Sequence, residues 1–448
     1  MRAPLTGDIS TAKEVNFAVK LTFAQLAIVA TIASALLLDG TDGKLLPFLT
    51  PSILAEWQVN KAVFAPALAA SLFGMTFGSF FGGFLGDRFG PWRTALVAVM
   101  VFGFLTLACA FTNVPTALML ARFGSGVGFG ALIPNAYTIV IEWLPRRHLA
   151  RVMGFLTSCS PLGGVAAAAV ALYGLPLLGW RGCFILVGIA TLAIGVRMLW
   201  LPETPTHMLK QRGAEALQAR WRAVTGTAMT EDTLSAIAAG PETKRRASVF
   251  RADLVRFNSS AWFAFFCAQF VNYGFESWLP VVLTSGGLPL RDAISAGMGY
   301  SSLCLFGALL SGFVVERLGS KTVVISSSLG VIANLLSVVA IMNTNDIPAY
   351  RLEILAAVSL SGGITGILMA TIAAVIAAGY DADCRATGSG IGVAAGRLGG
   401  VTATMVGGII LNQFQSSLAP LFIVLTGFAG SVIVAALVVD RHIAPHRR

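Results

Sequence analysis

The sequence predicts an all-α integral membrane protein whose twelve transmembrane helices form two pseudo-symmetric six-helix bundles. Three observations predict it. The 448 residues are 56% apolar and 12% charged, with a mean hydropathy of +0.78, well above that of a water-soluble chain of this size. Apolar stretches of roughly 18 to 25 residues, the length a helix needs to cross the hydrocarbon core, recur along the chain. An internal repeat relates the two halves of the chain on either side of a basic central segment.

The first six stretches cover 21–54, 64–85, 94–111, 116–141, 153–178 and 183–201. The first is interrupted by Gly40, Gly43, Pro47 and Pro51. Residues 202–258 break the pattern and carry Lys210, Arg212, Arg220, Arg222 and the run Lys244, Arg245, Arg246, as expected of a cytoplasmic linker. Six further stretches lie at 261–284, 294–315, 322–342, 352–377, 388–411 and 418–439. The expected organisation is an N-terminal bundle over 1–201, the linker over 202–258 and a C-terminal bundle over 259–448.

The net charge of +10 raises the question of nucleic acid, and the placement of the 31 Lys and Arg answers it. With the amino terminus inside, 23 fall in cytoplasmic segments. Four (Lys61, Arg181, Arg291, Arg351) fall in outer loops and four (Lys44, Arg122, Arg197, Arg397) within spans. This positive-inside bias predicts cytoplasmic termini, a membrane-lipid environment and no nucleic-acid partner. The polar start of the chain reads as no removable signal peptide, the first span serving as the insertion signal. The six cysteines are scattered without a CxxC pattern, so neither a disulfide framework nor a metal site is expected.

The repeat has two copies of one loop. GFLGDRFG at 83–90 comes after the second span, and GFVVERLG at 312–319 comes after the eighth, 229 residues later. The same offset carries Pro51 onto Pro280 and Lys44 onto Tyr273. Gly83, Asp87, Arg88, Gly90, Glu316 and Arg317 are therefore candidates for a conformational switch. Two glycine ladders, Gly74, Gly78, Gly82, Gly86 and Gly388, Gly392, Gly396, Gly400, permit close helix approach. They are read either as general packing or as a sliding contact between the bundles, with Asp87 latching the start of the eleventh span.

A charge within a bilayer costs at least ~2.5 to 3.5 kcal/mol on insertion scales, so each needs a reason. Asp39 and Asp42 lie one helical turn apart, where two carboxylates disfavour double ionisation, so one of them is expected to hold a proton. Arg122 keeps its charge and is a natural anchor for one of the pair. Arg397 suits either a substrate carboxylate, gripped in bidentate fashion, or Glu276. Gln269, Asn272, Tyr273 and Glu276 form one polar stripe along the seventh span, as in a cavity wall. Lys44, two residues beyond Asp42, points away from the carboxylate pair in a regular helix.

The chain carries no HExxH, GxSxG or P-loop, and its four histidines all lie in segments expected to be cytoplasmic, so no enzyme and no ATP-driven pump is expected.

The paired loops and twelve spans resemble the major facilitator superfamily over essentially the whole chain. Further residues narrow the resemblance: the Asp39-Gly40-Thr41-Asp42 run with Pro51, Glu56 and Trp57; Arg122 with Gly126, Gly128, Pro134, Asn135 and Glu142; Ser277 to Pro280; and Arg385 to Gly388 with Gly396 and Arg397. Together these look like the aromatic acid:proton symporter family, whose members take up benzoate-like carboxylates with protons, mostly in bacteria. The resemblance implies an inner-membrane, monomeric transporter with no cofactor, driven by the proton gradient. It implies that Asp39 and Asp42 are needed for transport, and that Arg122, Glu142 and Arg397 act with them in proton coupling and substrate handling. A pyridine or non-aromatic carboxylate, or export, remains open. Thr41, Lys44 and Pro47 depart from the residues usual in that family.

Overall fold

A computed structural model describes residues 21–239, 248–342, 347–381, 384–414 and 419–445. The first bundle comprises α1 (Phe23–Trp57), α2 (Lys61–Phe89), α3 (Pro91–Cys109), α4 (Pro115–Trp143), α5 (Arg146–Ala169) and α6 (Leu175–Met198). Next come two helices, α7 (Pro205–Thr225) and α8 (Glu231–Ala239). The second bundle comprises α9 (Val255–Ser285), α10 (Leu290–Leu318), α11 (Ser320–Met342), α12 (Arg351–Ala378), α13 (Arg385–Gln413) and α14 (Ala419–Val438). No strand occurs among the described residues.

Ten helical stretches are long and apolar enough by themselves to cross a membrane. One of them, Arg146–Met198, is two crossings joined through a π-helical turn at Val170–Gly174 and a sharp bend at Gly179, where φ is 65°. The helix missing from that set is α9. Its hydropathy is lowered by the polar stripe, whose side chains face protein and not lipid.

The repeat holds to the residue. Shifting α2 by 229 places it on α10, and the glycine that ends each copy of the loop has positive φ: 100° at Gly90 and 77° at Gly319. A side chain disfavours that conformation, which lets one span end and the next begin within a residue. Each loop is covered by the segment after its bundle's sixth span. Trp92 N–H donates to Glu203 at 3.1 Å in the first half, and Ser320 N–H donates to the Ile443 carbonyl at 2.9 Å in the second.

Within each half the helices pair through glycine. Gly74 and Gly78 of α2 lie against the Phe123 and Val127 carbonyls of α4, while Gly126 and Gly130 of α4 lie against α2. Gly307 of α10 and Gly362 and Gly366 of α12 form the equivalent contact. The four-residue ladder of α13 faces Tyr380, Trp262, Phe265 and Tyr273 of its own half. The sliding contact between ladders is therefore not what the structure shows; both ladders are spent on packing inside a bundle.

The helices α2 and α13 do meet, but through other residues. Gly408 of α13 lies against Ala65 and the Lys61 carbonyl of α2; beside it, Gly297 of α10 lies against the Phe48 ring of α1, and Lys61 Nζ reaches Ser285 Oγ of α9 at 3.4 Å. These contacts join the halves at the end away from α7. At the α7 end, Asp87, Glu316 and Arg317 are exposed, and no ion pair engages them among the described residues. Arg317 and Arg88 lie over the rings of Phe313 and Phe89.

Candidate functional site

Both halves contribute to a narrow hollow of about 80 Å³ lined by α1, α2, α5 and α9. Helix α1 runs unbroken for 35 residues despite Pro47 and Pro51 inside it. Proline has no N–H to offer the carbonyl four residues earlier, so Pro47 leaves the Gly43 carbonyl without its helical partner, at the wall of the hollow. Gly40 brings α1 directly onto the Ser160 carbonyl of α5. A wider residue there would push the helices apart.

The two aspartates of α1 go to different neighbours. Asp42 turns into the first bundle, where its Oδ2 accepts from Arg122 Nη1 at 2.6 Å and its Oδ1 from Thr106 Oγ1 at 3.1 Å. Arg122 Nη2 also donates to the Asp42 carbonyl at 3.2 Å. Arg122 is 1% exposed, so the pair is shut inside the bundle. Asp39 lines the hollow instead and accepts a hydrogen bond from Ser160 Oγ at 3.3 Å. No lysine or arginine forms an ion pair with it among the described residues. Residues three apart are 60° apart around a helix, enough to send the two carboxylates to different helices.

Lys44 shares the hollow with Asp39 and reaches across it. Its Nζ lies 2.6 Å from Glu276 Oε1, an ion pair that joins the two halves. Lys44 does point away from Asp42, as its spacing predicts, but that direction leads to the interface between halves and not to lipid. Tyr273, its repeat mate, lines the same hollow. The apolar wall is supplied by Pro47, Leu68, Leu72 and Met75.

The other expected residues lie outside this lining. Arg397 does not reach Glu276, which Lys44 occupies. Arg397 Nη1 donates instead to the Met75 carbonyl at 3.0 Å and to Ser79 Oγ at 2.8 Å, tying α13 to the middle of α2. Asn272 accepts from Tyr300 Oη at 2.8 Å, and Gln269 packs beside Gly396. Glu142 sits at the far end of α4, where its Oε2 accepts from the Thr206 N–H at 2.8 Å and so holds the first turn of α7. Sequence reasoning missed Ser160, Thr106, Ser71 and Ser79. A hydroxyl inside an apolar span was the available signal, but serine and threonine commonly bond their own helix, so the signal is weak.

The arrangement is a low-dielectric hollow with one cross-half ion pair, one carboxylate that forms no ion pair among the described residues, and an apolar wall. It holds no constellation for bond making or breaking.

The superfamily profile described as "Major Facilitator Superfamily" matches residues 31–404. A gallate transporter of Pseudomonas putida is 26% identical over 91% of this chain and 89% of its own length. The 4-hydroxybenzoate transporter PcaK of Acinetobacter baylyi is 26% identical over 89% and 88%. Among solved structures, the inward open xylose transporter XylE of E. coli superposes with a TM-score of 0.73 at 17% identity, over 92% of this chain and 95% of that one. The curated relatives agree with the resemblance read from the motifs, and the structural likeness gives the same fold. This chain is a multi-pass membrane transporter, not an enzyme, and belongs to the major facilitator superfamily.

Proposed function

We propose that the chain is a symporter that carries a small aromatic carboxylate, of the gallate or 4-hydroxybenzoate kind, together with protons. One observation carries the reading: the Lys44–Glu276 pair bridges the halves beside Asp39, which forms no ion pair among the described residues. An incoming carboxylate competes with Glu276 for Lys44 and adds a negative charge to a site of low dielectric. Such a site tolerates the extra charge only if a carboxylate binds a proton at the same time. Asp39 and the displaced Glu276 are the groups in place to do so, and this links substrate loading to proton loading.

The ring rests against the apolar wall of Pro47, Leu68, Leu72 and Met75. At about 80 Å³ the hollow is far below the roughly 300 Å³ or more of typical ligand sites, so loading requires the halves to part further. Residues 1–201 and 259–448 rock as units about this site, with both termini on the cytoplasmic face of a bacterial inner membrane and the monomer as the working unit. The energy source is the proton gradient, with no cofactor. The names and transported acids of the relatives support an aromatic substrate over a non-aromatic one.

The test is ligand-induced thermal stabilisation of the purified chain by gallate, 4-hydroxybenzoate and benzoate, with uptake into proteoliposomes under an imposed proton gradient as the second stage. At least one acid is expected to stabilise the chain and to accumulate. Lys44→Gln is expected to weaken its binding about ten- to hundredfold, since a hydrogen bond to a charged group is worth about 1.5 to 3 kcal/mol. If none of the three acids stabilises the chain, the substrate class is wrong. If one does but accumulates equally without the gradient, the coupling is wrong.

A further inference from the structure

We infer that the α1–α6–α7 junction is a binding site for the phosphate of an anionic membrane phospholipid. A crevice of about 460 Å³ runs between the α7-side ends of α1 and α6 and is roofed by α7. Arg197, in the last turn of α6, and Arg220, on α7, both line it, and no carboxylate does. Arg197 Nε donates to Thr31 Oγ1 at 3.0 Å, which fixes the guanidinium across the crevice instead of letting it trail outward. Its two Nη groups, and the whole of Arg220, engage no hydrogen bond or ion pair among the described residues.

A second hollow of about 540 Å³ adjoins the first, sharing Leu201, Pro202, Arg220 and Ala223, and adds Arg93 and Arg212. The carboxylate that lines it, Glu203, has its Oε1 occupied by the backbone N–H groups of Trp92 and Thr204. Four arginines thus line two joined hollows, and among the described residues no ion pair engages any of them, so their Nη groups suit phosphate oxygens in bidentate fashion.

The walls identify the source of the phosphate. Ala24 and Ala27 of α1 give the crevice an apolar side. Trp200, 72% exposed at its mouth, and Phe23, 89% exposed at the start of α1, are large rings at the level where a membrane meets water. A basic pocket between membrane helices at this depth suits a headgroup, with the lipid tail continuing along α1 and α6. Free phosphate would use the arginines and leave the apolar side unexplained.

The experiment takes the full chain, delipidated in a neutral detergent, and measures binding of phosphatidylglycerol, phosphatidylcholine and inorganic phosphate by native mass spectrometry and thermal shift. Phosphatidylglycerol is expected to bind and stabilise. Arg197→Gln with Arg220→Gln is expected to weaken it roughly thirtyfold, at about fivefold per arginine. Lys210→Gln with Arg222→Gln removes the same charge from α7 outside the crevice and is expected to leave binding within about threefold of the parent chain. Arg197→Lys with Arg220→Lys, which keeps charge but not the planar fork, is expected to fall between the two, which separates lost recognition from lost folding.

Equal weakening by both glutamine pairs would mean diffuse attraction and would overturn the site. Equal binding of phosphatidylcholine would overturn the charge recognition. Inorganic phosphate binding as tightly as phosphatidylglycerol would overturn the lipid assignment.

Discussion

Asp39 and Asp42 differ by one helical turn and by one arginine. Asp42 is the counter-ion of Arg122 inside the first bundle, so Asp42→Asn leaves a buried guanidinium without compensation. Breaking such a pair from one side costs about 3 to 5 kcal/mol, and the variant is expected to lose folded yield and thermal stability with or without substrate. Asp39→Asn removes a carboxylate whose hydrogen-bond donor is the Ser160 hydroxyl, which an amide oxygen can replace. That variant is expected to fold with near-parental stability, to keep substrate counterflow in proteoliposomes, and to lose accumulation driven by a proton gradient. Gradient-driven accumulation by Asp39→Asn at the parental rate would place the coupling on another group. The sequence identified both aspartates and Arg122 as charges needing a reason. The division of labour was not legible, because it depends on which neighbouring helix each side chain meets. Lys44 shows the same thing more sharply: its partner Glu276 is 232 residues away in the other half, so no local spacing could reveal it.

At the scale of the helix, glycines of similar appearance have opposite roles. Gly78 of α2 lies directly on the Val127 backbone carbonyl, whereas Gly83, the first residue of the repeated loop, has nothing within 4 Å of where a Cβ would stand. Gly78→Ala is expected to force α2 off α4 and to destabilise by about 1 to 3 kcal/mol or more, since backbone cannot yield as a side chain can. Gly83→Ala is expected to be neutral or stabilising by up to about 1 kcal/mol from helix propensity. Thermal denaturation of the two purified variants checks both signs, and a Gly83→Ala as damaged as Gly78→Ala would show a packing role in another conformation. A ladder of small residues tells that some helix comes close. It does not tell which one, and for that reason the ladders of α2 and α13 read equally well as a contact between halves. The helices α7 and α8 were not legible for a related reason: an exposed amphipathic helix in a basic segment has the composition of a linker. Glu142, one of the residues on which the resemblance rests, holds the first turn of α7.

For the whole molecule, duplication makes most of the architecture readable: one offset places α2 on α10 and both positive-φ glycines on each other. What duplication cannot supply is how the halves sit together, since that depends on residues where the copies differ. In this structure the halves meet at the end away from α7, through Lys61 and Ser285, Ala65 and Gly408, and Phe48 and Gly297. Asp87 stands exposed at the opposite end, as required if its latch closes in the other conformation. Transport by rocking then demands that the contact at the first end open once in every cycle. A reversible, thiol-cleavable cross-linker joining Lys61→Cys to Ser285→Cys, in a background with the six native cysteines replaced, tests that demand directly. Cross-linking is expected to abolish uptake while leaving substrate-induced thermal stabilisation intact, because the link leaves the halves free to part at the α7 end and to load the hollow from there. Reduction of the linker is expected to restore uptake to the level before treatment. Undiminished uptake with the link in place would mean that the substrate does not pass between these two halves, and a loss of stabilisation as well would mean that the hollow is loaded from the end where they meet.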